Sequence, residues 1–506
     1  MRHALTAAQM REVEDRAVED GLATIAELMD RAGAAVAAAV AGRVPTGPIV
    51  VVCGSGNNAG DGWVAARLLS EAGRDVCVIT TNSPERLPEA AASAAKRAGA
   101  AGVAWLAATE RERCAVVIGE AACVIDALFG FGMHGPVTGD AAALIDEING
   151  SGAFVVAADV PSGVEVDTGV VGSVAVIAAL TVTFTALKPG LMMLPGASHV
   201  GEIMVADIGI SPGSWCGTGT LELPDVADLR ALFPDTRPLD HKGSRGRVAV
   251  VAGSAAYPGA AALCVEGALR MGAGYVTLVT TEEAARVTRA LHPSALVRVV
   301  PGDESGAIAD AAAALEAVQD ADAIVIGPGL TTGEGPTSVV CELLERAFQP
   351  LVADADALNI CASRLGGSRR SATTVLTPHP GELARLTGLT PAEVQADRVS
   401  AARRFAGPDR TCLLKGARSI VAGEGRTGIV LAGNAGLARA GSGDVLAGMI
   451  GTLLAQGLAG YEAALLGAYL HGWAAEAGSE ELTETCFTSA DITRFLPHAV
   501  RRLLGG

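Results

Sequence analysis

Short uninterrupted apolar runs, each closed by glycine or a small polar residue, recur along the whole chain and alternate with segments of helical spacing. Strands covered on both faces need such runs, so the pattern predicts parallel sheets with helices on either side. In the first half the runs are IVVVC, DVCVIT, CVIDALFG, AFVVAADVPSG, TVTFTALKPG and EIMVADIGI; in the second, RVAVVAG, YVTLVTT, DAIVIGPG, PLVADADAL, TVLTPHPG and TCLLKG. Two helices precede the first strand, announced by Thr6 with Gln9 and Thr24 with Glu27. Each pair is a capping box, in which two side chains satisfy amides that the helix start leaves bare. Strand, glycine loop, helix and strand then follow from residue 49, the opening of a doubly wound sheet. The fold class is therefore α/β, with two doubly wound three-layer α/β/α domains. Residues 211–223, SPGSWCGTGTLEL, are rich in Gly, Ser and Thr and predict a linker between domains at 1–215 and 224–506.

Composition narrows the function. A chain of 506 residues, 50% apolar, has room for two or three cores. A net charge of -17 repels nucleic-acid backbones and anionic membranes, and 3% aromatic residues leave few platforms for stacking bases, so a small-molecule substrate is favoured. The ten cysteines form no CxxC pair, which fits buried thiols in a reducing cytoplasm better than disulfides or zinc. The first residues, MRHALTAAQMREVEDRAVEDG, are charged throughout and carry no signal-peptide core. Residues 168–187 are uncharged for long enough to suggest a membrane span, but Thr181, Thr183 and Thr185 alternate with Val182 and Phe184, the pattern of a buried strand.

Candidate chemistry lies where the runs end. Residues 433–448 read GNAGLARAGSGDVLAG, with Gly441, Ser442, Gly443 and Asp444 just before a small-residue apolar helix. Glycines there leave the first amides open at the positive end of the helix dipole, a seat for phosphate. Asp444 beside that seat reads as a general base, or else as an ordinary N-terminal aspartate complementing the dipole. In the first half, residues 54–62 (GSGNNAGDG) satisfy the dinucleotide fingerprint through Gly54, Gly56 and Ala59. A dehydrogenase would need an acid at the end of the second strand to hold the ribose; Thr80 and Thr81 stand there instead. Asn57, Asn58 and Asp61, with Asp126, the glycine loop 130–136, Asp159 and Ser162, are oxygen donors suited to a hard, monovalent cation. Each alone is ordinary turn chemistry. Three strand ends converging on one sheet edge point to a site.

These motifs carry a resemblance. The first half resembles the NAD(P)H-hydrate epimerase domain, matching its glycine loop at 54–62, Asp126, DVPSG at 159–163 and KPG at 188–190, and departing from it at Ala59, where the family has glycine. The resemblance implies a Rossmann-like domain that holds potassium on Asn58, Asp126 and Ser162. It implies a hydrated nicotinamide nucleotide on Asn57, Asn58, Ala59, Gly60, Asp61, Gly130, Phe131, Gly132, Met133, His134, Gly135, Pro136 and Asp159. Asp159 would serve as acid or base, with Lys188 as helper. The second half resembles the ADP-dependent NAD(P)H-hydrate dehydratase, a ribokinase-like domain, through HKGSRGRVAVVAGS, PGAAALCVEGALRMGAGYVTL, IGPGL, TPHPGELARL, LLKGARSIV and GNAGLARAGSGDVLAG, with Ser442 where the family has threonine. That likeness implies Ala260, Gly329, His379 and Asp444 at the hydrated substrate, and Lys415, Gly416, Ala417, Arg418, Ser419 and Gly443 at the adenine nucleotide. Without it, His379 between two prolines is a rigidly presented or simply packed histidine, and Lys415 a phosphate ligand or an exposed lysine.

Together the halves imply repair of hydrated NADH and NADPH with ADP as co-substrate and Mg2+ as its companion, by a cytoplasmic homo-oligomer with no nucleic-acid or membrane partner. A vitamin-precursor kinase would share the GSGD turn and fold but has no need of TPHPGE or HKGS. An epimerase-like domain could instead serve as a protein- or RNA-binding module, which would leave its loop acids idle.

Overall fold

The structure, a computed structural model, describes residues 1–133, 135–210, 219–362 and 372–505. The chain forms two compact units, one of His3–Thr220 and one joining Met1–Arg2 to Leu221–Gly506. Strands are numbered along the chain from β1 (Arg2–Ala4).

In the first unit β2 (Ile49–Cys53), β3 (Val76–Thr80), β4 (Ala104–Ala107), β5 (Cys123–Ala127), β6 (Phe154–Ala158), β7 (Leu180–Phe184) and β8 (Glu202–Ala206) pair in the order β4-β3-β2-β5-β6-β7-β8. Every pairing is parallel. β2 and β5 are buried at all five positions, as their unbroken apolar runs require. Helices Ile25–Arg43 and Asn57–Glu71 cover one face through Val36, Val40, Trp63 and Val64, while Ile118, Ile145 and Ile148 cover the other. Both expected capping boxes are present, on Thr6 and Thr24. The chain winds outward from β2 to β4, then returns to β5 on the other side of β2. A crevice therefore opens between the C-terminal ends of β2 and β5, where ligands bind in such sheets. Register sets Asp126 beside Val52 and Ala157, near that edge.

The second unit repeats the device with a mixed sheet. Its strands are β9 (Leu221–Leu223), β10 (Arg247–Val251), β11 (Tyr275–Thr280), β12 (Leu296–Val299), β13 (Ala323–Ile326), β14 (Leu351–Ala353), β15 (Thr374–Leu376), β16 (Arg410–Leu414), β17 (Ile420–Gly423) and β18 (Arg426–Ile429). They run β1-β9-β18-β17-β16-β15-β14-β13-β10-β11-β12, parallel from β12 to β16, with β17 antiparallel to both neighbours. The winding reverses between β10 and β13. The glycine-rich helix Ser442–Ala455 crosses Pro258–Arg270 at close range: a Cβ on Gly448 would lie 2.0 Å from the Cys264 carbonyl oxygen, and one on Gly267 would lie 2.3 Å from that of Val445. Small residues let these backbones meet, which places the start of the helix against the sheet edge.

One expectation shifts and another holds. Leu221–Leu223, read as the end of the linker, is a strand with both leucines buried, so the second unit begins before residue 224; residues 211–218 of the expected linker lie outside those described. The run 168–187 contains β7, and among the described residues no helix is long and apolar enough to cross a membrane.

Candidate functional sites

At the first crevice the chain leaves β2, turns through Gly54 and Gly56, and enters helix Asn57–Glu71. Asn57, Asn58, Ala59, Gly60 and Asp61 thus form the first turn of a helix rather than a loop. A cavity of about 500 Å3 opens in front of them. Asn57, Asn58, Asp61, Gly130, Phe131, Gly132, Met133 and Asp159 line it, as do Arg11, Glu14 and Asp15 from helix Ala7–Glu19. Ala59 and Gly60 turn into the core instead, Gly60 against the Met29 thioether. Gly135 and Pro136 do not line the cavity, and His134 lies outside the described residues.

Asn58 is 8% exposed, yet neither its Oδ1 nor its Nδ2 has a hydrogen-bond partner. Leaving such a group unsatisfied costs about 1–3 kcal/mol, so the amide is prepared for something else. Gly130 packs on its side chain, with a Cβ there only 3.6 Å from Oδ1. The adjoining Phe129 N–H donates to Ser162 Oγ (2.9 Å), and Ser162 donates its hydroxyl (2.6 Å) and amide (2.7 Å) to Asp126. The segment 129–130 therefore touches Asn58 on one side and the Ser162–Asp126 pair on the other. Burial pushes the Asp126 carboxyl up to about 6 against those hydrogen bonds. Carbonyl, hydroxyl and carboxylate oxygens of this kind suit an alkali cation. Among the described residues no three His, Cys, Asp or Glu side chains group as a metal site.

Asp159 ends β6 with φ of +68°, and Lys188, wholly buried, donates to its Oδ1, to Thr183 Oγ1 (2.8 Å) and to the Phe184 carbonyl (2.9 Å). Lys188 therefore stands behind Asp159 and does not line the cavity. Two further carboxyls gather in front. Burial, reinforced by Asp159, pushes Glu14 up to about 7 against the pull of Lys188; burial, then Asp159 and Glu14, drive Asp61 well above the carboxylate range. The sequence reading missed Glu14, because in MREVEDRAVED it is one acid among several on a helix whose charges read as a solvated face.

In the second unit Gly441, at φ +92°, stands just ahead of helix Ser442–Ala455. Gly443 faces the Lys415 ammonium, 3.1 Å from where a Cβ would sit, and Asp354 Oδ2, 3.6 Å away. Lys415 donates to Asp354 (2.6 Å), which also accepts from Thr377 Oγ1 (2.8 Å). Burial opposes the ammonium, but Asp354 and Glu382 outweigh it and hold Lys415 above the ordinary lysine range. A fixed cation beside open helix amides is an anion seat. Asp444 lines a second cavity, of about 460 Å3, with Tyr257, Ala260, Gly329, Thr331, Thr332 and Asp356. Burial, then Asp354, raise its carboxyl to about 7 against Lys415.

His379 does not line that cavity. It caps helix Pro380–Thr387, with Nδ1 accepting from the Gly381 (3.0 Å) and Glu382 (3.4 Å) amides, which assigns the proton to Nε2. Burial, then Lys415 and Arg385, lower its basicity, so its 3.5 Å approach to Glu382 is a neutral contact. Gly416 (φ +134°) lies against the Arg398 guanidinium, Arg418 (φ +58°) donates to the Leu431 carbonyl, and Ser419 donates to that of Gly416; Ala417 is exposed. Ser442 donates to the Leu437 and Arg439 carbonyls, a task its hydroxyl shares with threonine's. Asp354 and Asp356 went unremarked in PLVADADAL because they close an otherwise ordinary strand.

Seven described non-glycine residues carry positive φ, and five of them, Asp159, Thr185, Thr331, Ala355 and Arg418, flank these sites. Strain so placed marks functional geometry.

A parallel α/β unit with a cavity at its switch point, and a second α/β unit with an anion seat and a raised carboxylate, make a two-site α/β enzyme architecture. Comparison with known proteins makes it specific. Residues 25–190 match the model of the YjeF-related protein N-terminus, and residues 248–498 that of NAD(P)H-hydrate dehydratase. The chain is similar to bifunctional NAD(P)H-hydrate repair enzymes of Thermofilum pendens (40% identity over 94% of this chain and 92% of the relative) and Moorella thermoacetica (37% over 99% and 97%). A solved ADP/ATP-dependent NAD(P)H-hydrate dehydratase of Bacillus subtilis, co-crystallised with ATP and Mg2+, is 31% identical, with a TM-score of 0.49 over 55% of this chain and 97% of that one. The chain belongs to the family of bifunctional NAD(P)H-hydrate repair enzymes.

Proposed function

We propose that the first unit interconverts the R and S forms of hydrated NADH and NADPH, and that the second dehydrates the S form at the expense of ADP. The observation that carries the second activity is the raised Asp444 carboxyl, which lines the second cavity, together with the fixed Lys415 beside Gly443 at the same helix start. Hydroxide is a poor leaving group. Asp444 takes the proton of the hydrate's C6 hydroxyl, whose oxygen then attacks the terminal phosphorus of ADP, releasing AMP. Lys415 and the amides at Gly443 hold the phosphates, and Mg2+, held by Asp356 and the phosphate oxygens, would neutralise their charge. The ring nitrogen's lone pair expels phosphate from C6, and loss of a proton from C5 restores the reduced ring.

For the first unit, the unpartnered Asn58 amide, Ser162 and Asp126 are the potassium ligands we propose, with Asp159 the acid or base and Lys188 fixing it. Ala260 and Gly329 bound the hydrate in the second cavity; His379 contributes by holding the neighbouring helix start. We place the enzyme in the cytoplasm as a homo-oligomer, to be checked by fractionation and sedimentation.

The test is incubation of separated R and S hydrates with the full chain. With ADP, the reduced-ring absorbance should return from the S form directly and from the R form after epimerisation. Replacing potassium by sodium should slow only the R form. Phosphorylated vitamin precursor formed from ATP, with the hydrates untouched, would favour the kinase reading.

A further inference from the structure

Epimerisation by exchange of the C6 hydroxyl for water takes a proton given on one face of the ring and another removed on the opposite face, hence two groups from different elements around the cavity. Asp159 comes from the end of β6, and its Oδ1 is already committed to Lys188 and to Thr183 Oγ1 (3.1 Å). Glu14 reaches the same cavity from helix Ala7–Glu19. Among the described residues no hydrogen bond or ion pair engages its carboxyl. The helix that carries it is firmly seated: Thr6 caps it, the Ala7 amide donates to Asp167 Oδ1 (2.7 Å), and Met10 is fully buried. Glu14 is thus a positioned carboxyl with no bonded partner, lining the same cavity as Asp159 and Asp61, with Lys188 behind Asp159 and with Arg11 and Asp15 on its own helix.

We infer that Glu14 is the second acid–base residue of this cavity, protonating the C6 hydroxyl of the bound hydrate while Asp159 deprotonates the water that replaces it on the other face. The inference rests on the epimerase reading of the first unit. The proton from Glu14 lets the C6–O bond break with its electron pair leaving as water. The ring nitrogen's lone pair forms a double bond to C6, giving an iminium. Water adds to the opposite face, its proton passes to Asp159, and the double-bond pair returns to nitrogen; exchange with solvent resets both carboxyls. A carboxyl titrating near neutrality can cycle in this way, while burial, then Asp159 and Glu14, hold Asp61 well above the carboxylate range.

The experiment uses the full chain without ADP, so that the second unit is idle, and follows R-to-S interconversion by chromatography against an enzyme-free control. Glu14→Gln should lower kcat by about 10^2–10^4-fold with little change in KM. The parent's rate should fall as pH rises through about 7, because Glu14 acts in its protonated form, and the variant should lose that limb. Glu14→Asp should recover part of the rate, and S-hydrate dehydration with ADP should stay parental in both variants. Parental epimerisation by Glu14→Gln, or a loss confined to KM, would overturn the inference. If Glu14→Gln melts early, Glu14→Asp decides by the same pH profile: an unshifted parental profile overturns the role. A parent that interconverts the epimers no faster than buffer instead sinks the epimerase reading itself.

Discussion

A carboxylate at a helix start is ordinarily stabilised by the dipole, yet Asp444 titrates at about 7 because burial and Asp354 outweigh that help and the attraction of Lys415. A base poised there is ready at neutral pH and disabled in acid. The kcat/KM for S-hydrate dehydration should therefore fall about tenfold per pH unit below about 7, since this ratio reports the free enzyme. Asp444→Asn keeps the shape but cannot take the proton. It should lose about 10^2–10^4 in turnover while ADP still raises the melting temperature as in the parent. Near-parental turnover would remove the base assignment; lost ADP binding would return Asp444 to a structural role. The Lys188–Asp159 pair makes a different claim, with side chains 1% and 4% exposed. Lys188→Met strands a buried carboxylate and should destabilise the first unit by about 3–5 kcal/mol in denaturant unfolding, whereas the double change Lys188→Met with Asp159→Leu should recover much of the loss. A single variant as stable as the parent would mean that the pair is not buried in solution.

At the scale of elements, the sequence announced most strands that are buried on both faces, together with the more exposed β8, and was silent on the edge strands β4 and β12. β4 shows exposed, exposed, buried and intermediate positions, and β12 is exposed or intermediate throughout; an edge strand needs no continuous apolar run, so none is written. β17 and β18 were hidden for another reason. Their two-residue turn at Glu424 and Gly425 has positive φ at both positions, as such a turn requires, but it lies within a glycine-rich stretch where no single glycine stands out. Strand ends were legible because glycine and oxygen-bearing side chains collect there, and for the same reason Asn57, Asn58, Asp61 and Asp159 stood out for the first cavity and Asp444 for the second. Glu14 was not, since a helix reaching across from another part of the chain leaves no mark at the strand ends. The packing of helix Ser442–Ala455 was legible in its small residues and can be tested. Gly448→Ala puts a methyl 2.0 Å from the Cys264 carbonyl oxygen and 2.9 Å from the Ala268 nitrogen, backbone atoms that cannot rotate away. The two helices must part, at about 1–3 kcal/mol. Because Asp444 rides on the displaced helix, dehydration should weaken together with stability; an equally stable, equally active variant would show that the crossing is looser than drawn.

For the whole molecule, each unit carries its own core and, apart from β1 at the edge of the second sheet, its own strands, the condition for a domain that folds alone. A fragment of residues 1–220 should accordingly retain epimerisation, and one beginning at Leu221 should retain dehydration. The starting residue matters more than composition suggested. Leu221 and Leu223 are 1% and 0% exposed, and β9 pairs with β18 through Thr427 and Gly428. Between them Glu222 accepts from Arg426 Nε and Nη2, each at 2.9 Å, and from the hydroxyl of buried Tyr461 at 2.8 Å. A fragment beginning at Pro224 loses all of this: two leucines leave the core, the Tyr461 hydroxyl loses its acceptor, and β18 becomes open to pairing with other chains. The leucines alone account for about 3 kcal/mol or more. The Pro224 fragment should therefore unfold at clearly lower denaturant than the Leu221 fragment and aggregate more readily, while any folded fraction keeps its activity, since none of the lost residues lines the Asp444 cavity. Coincident unfolding curves would mean that β9 adds nothing to the second unit and that residue 224 is an adequate start after all.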